Sequence, residues 1–153
     1  VHQKLEFSLD KFFRYASEYG GEVDKVIGEK LLIVFSHERL GKKSAAVAAI
    51  KLARRIIADF KTDRQIKPVF GINSGRVISG IIGTPEVRVD NTVIGDPVNV
   101  AARMCSLANS ESMPIIISGA IKSCLSASYK IRPVAIEKIR GKKQEVEVFS
   151  LVV

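Results

Sequence analysis

The feature that most constrains the fold is a pair of short apolar runs separated by only two residues. The runs cover about residues 22–27 and 30–35, and Gly28 and Glu29 lie between them. A glycine at the first central position of a two-residue loop is typical of a type II′ turn. The segment therefore predicts a β-hairpin. A sheet that contains this hairpin together with parallel strands must be mixed.

Helices are predicted on both sides of the hairpin in the chain. Apolar residues recur at helical spacing from Leu5 to Ala16, and Gly20 and Gly21 end that helix because glycine tolerates a left-handed cap. Residues 44–60 show the clearest helical pattern. Its predicted buried stripe consists of Ala45, Ala49, Leu52, Ile56 and Phe60.

The second half of the chain alternates strands and helices, and turn or capping residues mark the boundaries. The predicted elements are two strands around a turn at 73–75, a loop at about 84–90, a strand at 91–94, a helix with Asp96 as N-cap and Pro97 at its first position, a strand at 114–117, a short helix from a Ser118 cap to Leu125, and a last strand within 143–153. This order predicts one α+β domain over residues 1–153, with a mixed sheet and flanking helices.

Length and cysteine usage limit the class of protein. A chain of 153 residues with 46% hydrophobic residues can bury one core. Cys105 and Cys124 are too few for a disulfide framework, which favours a reduced, cytoplasmic setting. No apolar run approaches the roughly 20 residues of a membrane span, so we expect membrane attachment only through segments outside this chain. The first residue is Val1 and not Met, which indicates a piece of a longer protein.

The net charge of +8 allows an anionic partner, but the basic residues are scattered and the chain has no Trp. A nucleic-acid surface is usually more concentrated and interleaved with aromatic residues, so we expect no nucleic-acid partner. Phosphate-loop, dinucleotide-binding and nucleophile-elbow motifs are absent. His2 and His37 are isolated, so a zinc site is not expected.

Four polar residues are left as candidates for a site. Asn99 and Arg103 share a helical face, where a phosphate could meet the helix N-terminus and the guanidinium. Glu29 at the hairpin turn could bind a divalent cation, and Lys25 lies in the first hairpin strand. On spacing alone, the alternative of charged and polar side chains on a solvated surface is favoured.

Three motifs that follow one another in a family-specific order favour a ligand site over a solvated surface. The segments GGEVDKVIGEKLLIVF, FGINSGRVISGIIG and NTVIGDPVNVAARM closely resemble the catalytic domain of the class III adenylate and guanylate cyclases. In that family a GG-x-x-x-K-x-IGD hairpin, a GI-x-x-G-x-x-x-G-x-IG strand pair and a T-x-IGD-x-VN-x-AAR segment follow in this order. The resemblance covers the chain from about Lys11 to its end. It implies a ferredoxin-like mixed sheet with flanking helices.

The resemblance also implies an activity and the residues that perform it. Class III cyclases convert a nucleoside triphosphate into a 3′,5′-cyclic monophosphate and pyrophosphate, with two Mg²⁺ or Mn²⁺ ions held by two aspartates. By position, Glu29 corresponds to the second of these metal ligands. Asn99 corresponds to the residue that orients the ribose, and Arg103 to the one that stabilises charge on the α-phosphate. Arg140, with Lys142 as second choice, corresponds to the basic residue that contacts the phosphates.

The residues that correspond to the base-reading pair favour adenine. Lys25 can only donate a hydrogen bond, to N1 of adenine, and the Thr92 hydroxyl can accept one from the exocyclic amine. Guanine has a donor at N1 and would require an acceptor there. The expected substrate is therefore ATP, and the pair resembles that of a bacterial Lys-Thr subgroup of the family.

Two departures from the family pattern lead to a second hypothesis. The first strand of the family, with its F-x-D-I-x-G-F-T motif and the other metal aspartate, is absent from this sequence, and Glu29 replaces an aspartate. The first hypothesis is an adenylate cyclase domain, acting as a homodimer with its sites between the chains. The second is a weak or inactive cyclase-like domain that serves nucleotide binding, dimerisation or regulation. Both are expected in the cytoplasm, alone or as part of a larger membrane-anchored or multidomain protein.

Overall fold

The computed structural model describes residues 2–83, 88–134 and 146–153. Within them the elements alternate as the sequence predicts, and in chain order they are α1 (His2–Glu18), β1 (Glu22–Ile27), β2 (Lys30–Val34), α2 (His37–Leu40), α3 (Lys42–Asp59), β3 (Phe70–Ile72), β4 (Ile78–Gly83), β5 (Arg88–Ile94), α4 (Asp96–Ser110), β6 (Ile115–Ser118), α5 (Gly119–Lys122), β7 (Ile131–Pro133) and β8 (Val148–Leu151). None of the helices in these residues is long and apolar enough to cross a membrane.

The predicted hairpin is confirmed. β1 and β2 pair antiparallel, Ile27 faces Lys30, and Gly28 takes the positive φ of 60° that the turn requires. A bulge interrupts the pairing, because Val23 faces Ile33 whereas Lys25 already faces Leu32. The extra residue of this bulge is Asp24, so two residues of β1 lie opposite one of β2.

A mixed four-stranded sheet forms the centre of the described structure. Its strand order is β3-β6-β8-β7, and β3 is parallel to β6 whereas β8 is antiparallel to both of its neighbours. Two antiparallel pairs, β1-β2 and β4-β5, share no ladder with it among the described residues. The mixed sheet with flanking helices confirms the predicted fold class.

The buried strand β6 packs helices on both of its faces, because successive side chains of a strand point in opposite directions. Ile115 and Ile117 pack against α3, in a cluster that includes Ile50. Ile116 packs on the other side against α4, in a cluster with Met104. All three isoleucines of β6 are fully buried. The long helices α3 and α4 are therefore fixed on opposite faces of one strand.

A third apolar cluster fixes α1 against α3 and the first hairpin. Tyr15 and Ala16 of α1 pack with Leu52 and Ile56 of α3. At the edge of this cluster the Tyr15 hydroxyl donates to Oδ2 of Asp59 at 2.5 Å. This hydrogen bond is the main reason why the pKa of Asp59 lies below its usual value.

Several predicted boundaries are wrong. Strand β5 begins at Arg88, inside the region predicted as loop, because pairing with β4 extends it. Residues 84–87 of that predicted loop lie outside the described part of the chain. Helix α4 begins at Asp96 with Gly95 as its cap, so Asp96 is not the N-cap. Helix α2 and strand β7 were not predicted, since each is too short to show a periodic pattern.

The predicted buried stripe of α3 is also too narrow. Ala49 is only half-buried, whereas Ala46, Ile50 and Ala53 are buried without having been predicted. The reason is that α3 packs against two partners, β6 on one side and α1 on the other, so its buried arc is wider than one stripe.

Candidate active site

Helix α4 presents two different faces. Val100, Met104 and Ala108 are at most 1% exposed and face the sheet. Asn99 and Arg103, one helical turn apart, are both exposed. The predicted pair is therefore confirmed as neighbours on the outer face of a helix whose inner face is buried. Its amide and guanidinium are accessible to a ligand.

The N-terminal half of α4 is fixed by direct backbone contacts. A Cβ atom at Gly71 would lie 2.4 Å from the amide nitrogen of Cys105 and 2.5 Å from the carbonyl oxygen of Ala101. Only glycine allows β3 to approach α4 so closely. In addition, the side-chain amide of Asn73 donates to the Pro97 carbonyl at 3.2 Å. These contacts hold Asn99 and Arg103 on a rigid support.

The first hairpin carries the two other candidates. Glu29 lies at its tip and is exposed. The ammonium group of Lys25 lies 3.6 Å from a carboxylate oxygen of Asp24, and the two side chains are 28% and 10% exposed. Lys25 is thus a partly buried cation beside a nearly buried carboxylate, unlike a freely solvated turn residue.

Thr92 lies in β5, directly opposite Gly80 of β4. Parts of β5 lie within 8 Å of β1, measured between Cα atoms. The strand that carries Thr92 is therefore adjacent to the strand that carries Lys25. Arg140 and Lys142, which are predicted to contact the phosphates, lie outside the described residues.

The described residues contain no group of three or more His, Cys, Asp or Glu side chains that could enclose a metal ion. A carboxylate such as Glu29 suits Mg²⁺ or Mn²⁺ by its chemistry. By this chemistry Glu29 fits as one ligand of such an ion.

A contact between the hairpin and α4 escaped the sequence analysis. The ammonium nitrogen of Lys30, the residue after Glu29, donates to the hydroxyl oxygen of Ser106 at 2.7 Å. It also lies 3.4 Å from the carbonyl oxygen of Ala102. No local pattern signals a contact between residues so far apart in the sequence, so only the tertiary structure reveals it.

A cleft of about 380 Å³ lies between the end of α4 and the strands β7 and β8, where Met113 and Val134 line it. None of the candidate residues lines this cleft.

Comparisons with known proteins identify the family of the chain. The model of the adenylate and guanylate cyclase catalytic domain matches residues 2–152. The chain is 30% identical over 145 residues to the terminal-differentiation specific adenylate cyclase of Dictyostelium discoideum, covering 89% of this chain and 7% of that protein. It is 29% identical to an adenylate cyclase of Anabaena cylindrica, covering 88% of this chain and 28% of the relative.

A solved structure shows the same similarity in three dimensions. The adenylyl cyclase CyaB from P. aeruginosa superposes with a TM-score of 0.80 at 26% identity, over 100% of this chain and 82% of that one. By contrast, the chain spans less than a third of the length of the two curated relatives. The similarity therefore concerns one domain of those longer proteins.

Proposed function

This chain belongs to the adenylate and guanylate cyclase catalytic domain family, and from that premise we propose that it is the catalytic domain of an adenylate cyclase. The reaction is the conversion of ATP into 3′,5′-cyclic AMP and pyrophosphate. The observation that carries the proposal is the outer face of α4, where Asn99 and Arg103 are exposed on a buried, rigid support. The adenylate cyclases among its relatives support ATP as the substrate.

Each candidate residue has a defined part in this reaction. The ribose 3′-oxygen loses its proton and bonds to the α-phosphorus, while the bond from that phosphorus to the bridging oxygen breaks and pyrophosphate leaves. Asn99 orients the ribose, and Arg103 stabilises the negative charge that develops on the α-phosphate. Arg140, or Lys142 in its place, contacts the phosphates that leave.

Lys25 and Thr92 select the base. Lys25 donates to N1 of adenine, and the hydroxyl of Thr92 accepts from the exocyclic amine. Two observations support this pairing: Lys25 is partly buried beside Asp24, and β5, which carries Thr92, is adjacent to β1. Glu29 would hold a Mg²⁺ or Mn²⁺ ion, which when bound supplies positive charge to the triphosphate and acidifies the 3′-hydroxyl.

The active sites of this enzyme lie between two copies of the chain. Glu29 from one copy and the Asn99–Arg103 face from the other enclose one nucleotide, so that a two-fold dimer has two equivalent sites. Exposed apolar side chains on β1 and near β4 support such an interface: Val26 is 46% exposed, Val77 39% and Ile78 69%. A second copy would cover them.

The proposal is tested with the protein extended upstream of Val1, to include the family's first strand and its metal aspartate. We expect Mg²⁺- or Mn²⁺-dependent formation of cyclic AMP from ATP, measured by chromatography. Arg103→Ala should lower kcat about 100-fold or more, because it removes a charge-stabilising donor. Arg132→Ala, at an exposed arginine of β7, is the matched control and should leave kcat unchanged.

Mixing two inactive variants tests the shared site. Glu29→Ala and Arg103→Ala should each be nearly inactive alone. In a mixed dimer one site carries both substitutions and the other carries neither, so random mixing should restore roughly a quarter of the parent activity. If no activity returns although mass spectrometry shows mixed dimers, the two residues do not act across an interface.

A second function is favoured by one specific observation. Glu29 stands where the family resemblance implies an aspartate, and its extra methylene displaces the carboxylate by about 1.5 Å. A domain with a displaced ligand would bind ATP and form dimers without turnover, and would serve regulation. ATP binding measured by calorimetry, together with no cyclic AMP from the extended protein, would establish this second function and exclude the first.

A further inference from the structure

The contact made by Lys30 spans the distance between the two catalytic elements. Its ammonium nitrogen donates to Ser106 Oγ at 2.7 Å and lies 3.4 Å from the Ala102 carbonyl oxygen. Ser106 Oγ also donates to that carbonyl, at 3.2 Å. The three groups therefore form a closed hydrogen-bonded triangle on the surface of α4.

The same cation also affects the neighbouring Cys105 thiol of α4. Burial raises the pKa of Cys105, and the positive charge of Lys30 opposes that rise. Cys105 precedes Ser106 directly, so the ammonium group lies close to this turn of α4. This effect of charge on the pKa of Cys105 follows from the position of Lys30 that the hydrogen bonds establish.

Both ends of this contact lie next to candidate site residues in the sequence. Lys30 follows Glu29 directly, and Ala102 directly precedes Arg103. Lys30 is itself exposed, so burial of its side chain does not explain the contact. This lysine therefore connects the hairpin tip with the arginine-bearing turn of α4.

We propose that Lys30 is a positioning residue, which fixes the hairpin tip, and with it the Glu29 carboxylate, against α4 of the same chain. The inference rests on the proposed function. In the proposed dimer, Glu29 and Arg103 of one chain serve different sites. The hairpin that completes one active site is therefore held by the helix that completes the other.

Four variants of the extended protein test this role: Lys30→Met, Ser106→Ala, the double variant, and Lys30→Arg. We expect Lys30→Met and Ser106→Ala each to lower kcat about three- to tenfold, because each removes the same hydrogen bond. KM for ATP should stay within about twofold, since neither side chain is among those proposed to contact the nucleotide. The double variant should be no worse than Lys30→Met alone, because the shared contact is lost only once.

Two controls separate positioning from general effects. Lys30→Arg keeps the charge and the donors, so it should retain kcat to within about twofold. Lys51→Met removes an exposed lysine of α3, away from the hairpin, and should change neither parameter. A loss in Lys51→Met as large as in Lys30→Met would assign the effect to net charge and overturn the proposal.

Mixed dimers then identify which element Lys30 positions. In the dimer of Glu29→Ala and Arg103→Ala chains, the good site takes its Glu29 from the Arg103→Ala chain. Lys30→Met on that chain should lower the restored activity at least threefold, whereas on the other chain it should change activity less than twofold. Equal losses in both placements would overturn the assignment to the hairpin.

The outcomes distinguish this inference from the proposed function. An active parent whose kcat is unchanged by Lys30→Met, or whose double variant shows multiplied losses, would overturn the positioning role alone. A parent that makes no cyclic AMP from ATP would overturn the proposed function and the positioning role with it.

Discussion

The two faces of α4 are built under different constraints. The inner face, with Val100, Met104 and Ala108, is buried against β6 and β8. The outer face, with Asn99 and Arg103, is exposed and contributes nothing to that core. The adjacent residues Arg103 and Met104 therefore differ in environment: Met104 belongs to the core, and Arg103 is the exposed residue proposed to act in the reaction. Substitutions should be able to affect either property alone.

The largest effect is expected at the inner face. Met104→Ala would leave a cavity between α4 and the sheet, and the free energy of unfolding should fall by about 2–5 kcal/mol. Arg103→Ala, its neighbour on the outer face, should change the same quantity by no more than about 0.5 kcal/mol. Urea denaturation of the two variants measures both. Similar losses at both positions would show that the faces are not independent.

A second, smaller effect is expected where the inner face contacts β3. The added Cβ of Gly71→Ala would overlap the backbone of Ala101 and Cys105, at 2.5 and 2.4 Å. Relief requires a backbone shift, which should cost about 1–3 kcal/mol of unfolding free energy. Gly119→Ala is the matched control, because the nearest atoms lie 4.0 Å from its added Cβ. The prediction is wrong if denaturation curves of the two variants coincide.

At the first hairpin the expected effect is on nucleotide specificity and not on stability. Lys25→Glu replaces the proposed donor to adenine N1 by an acceptor, which suits N1 of guanine instead. The kcat/KM for ATP relative to that for GTP should fall about tenfold, or ~1.4 kcal/mol. Lys25→Met, which removes the donor without adding an acceptor, should lower ATP use without improving GTP use. Equal losses with both nucleotides in Lys25→Glu would make Lys25 a structural residue.

The smallest effect is expected far from the site, between α1 and α3. Tyr15→Phe removes the hydrogen bond to Asp59 and should cost about 0.5–1 kcal/mol at pH 7, since Asp59 remains in contact with water. Because that bond lowers the pKa of Asp59 below 3.8, its stabilisation is complete above the unfolded-state pKa and is lost as the pH falls through the folded-state value.

The pH dependence of unfolding tests this last prediction. The difference in unfolding free energy between the parent and Tyr15→Phe should be constant from about pH 5 to 7 and shrink below about pH 4. Cyclase activity at pH 7 should not change, because Tyr15 lies outside the site. A difference that grows toward low pH would contradict the assigned hydrogen bond.

Local patterns predicted which helices and strands form better than they predicted where each of them begins and ends. The hairpin around Gly28 was recognisable because a two-residue loop with glycine has few alternatives. The helix at 96–110 was recognisable from Pro97 and the small apolar residues that follow. The start of β5 and the wider buried arc of α3 were not, because strand partners and packing partners decide them.

The candidate site, like the fold, was predicted from the sequence only in part. The order of the three motifs predicted the family, and residue chemistry within them pointed to Lys25, Glu29, Asn99 and Arg103. The structure confirms that Asn99 and Arg103 share one exposed face. The assignments of these four residues, and of Thr92, Arg140 and Lys142, to the nucleotide or its metal ion all stay predictions.

The sequence by itself determined the hairpin, the long helices and the chemical groups available to a nucleotide, because these depend on residues close together in the chain. Only the tertiary structure decided which of these groups are neighbours. Gly71 brings β3 onto the backbone of α4, and Lys30 reaches Ser106 across 76 positions. Such contacts arise when separate apolar faces pack on one sheet, and no periodicity within a segment records which distant residue will lie opposite.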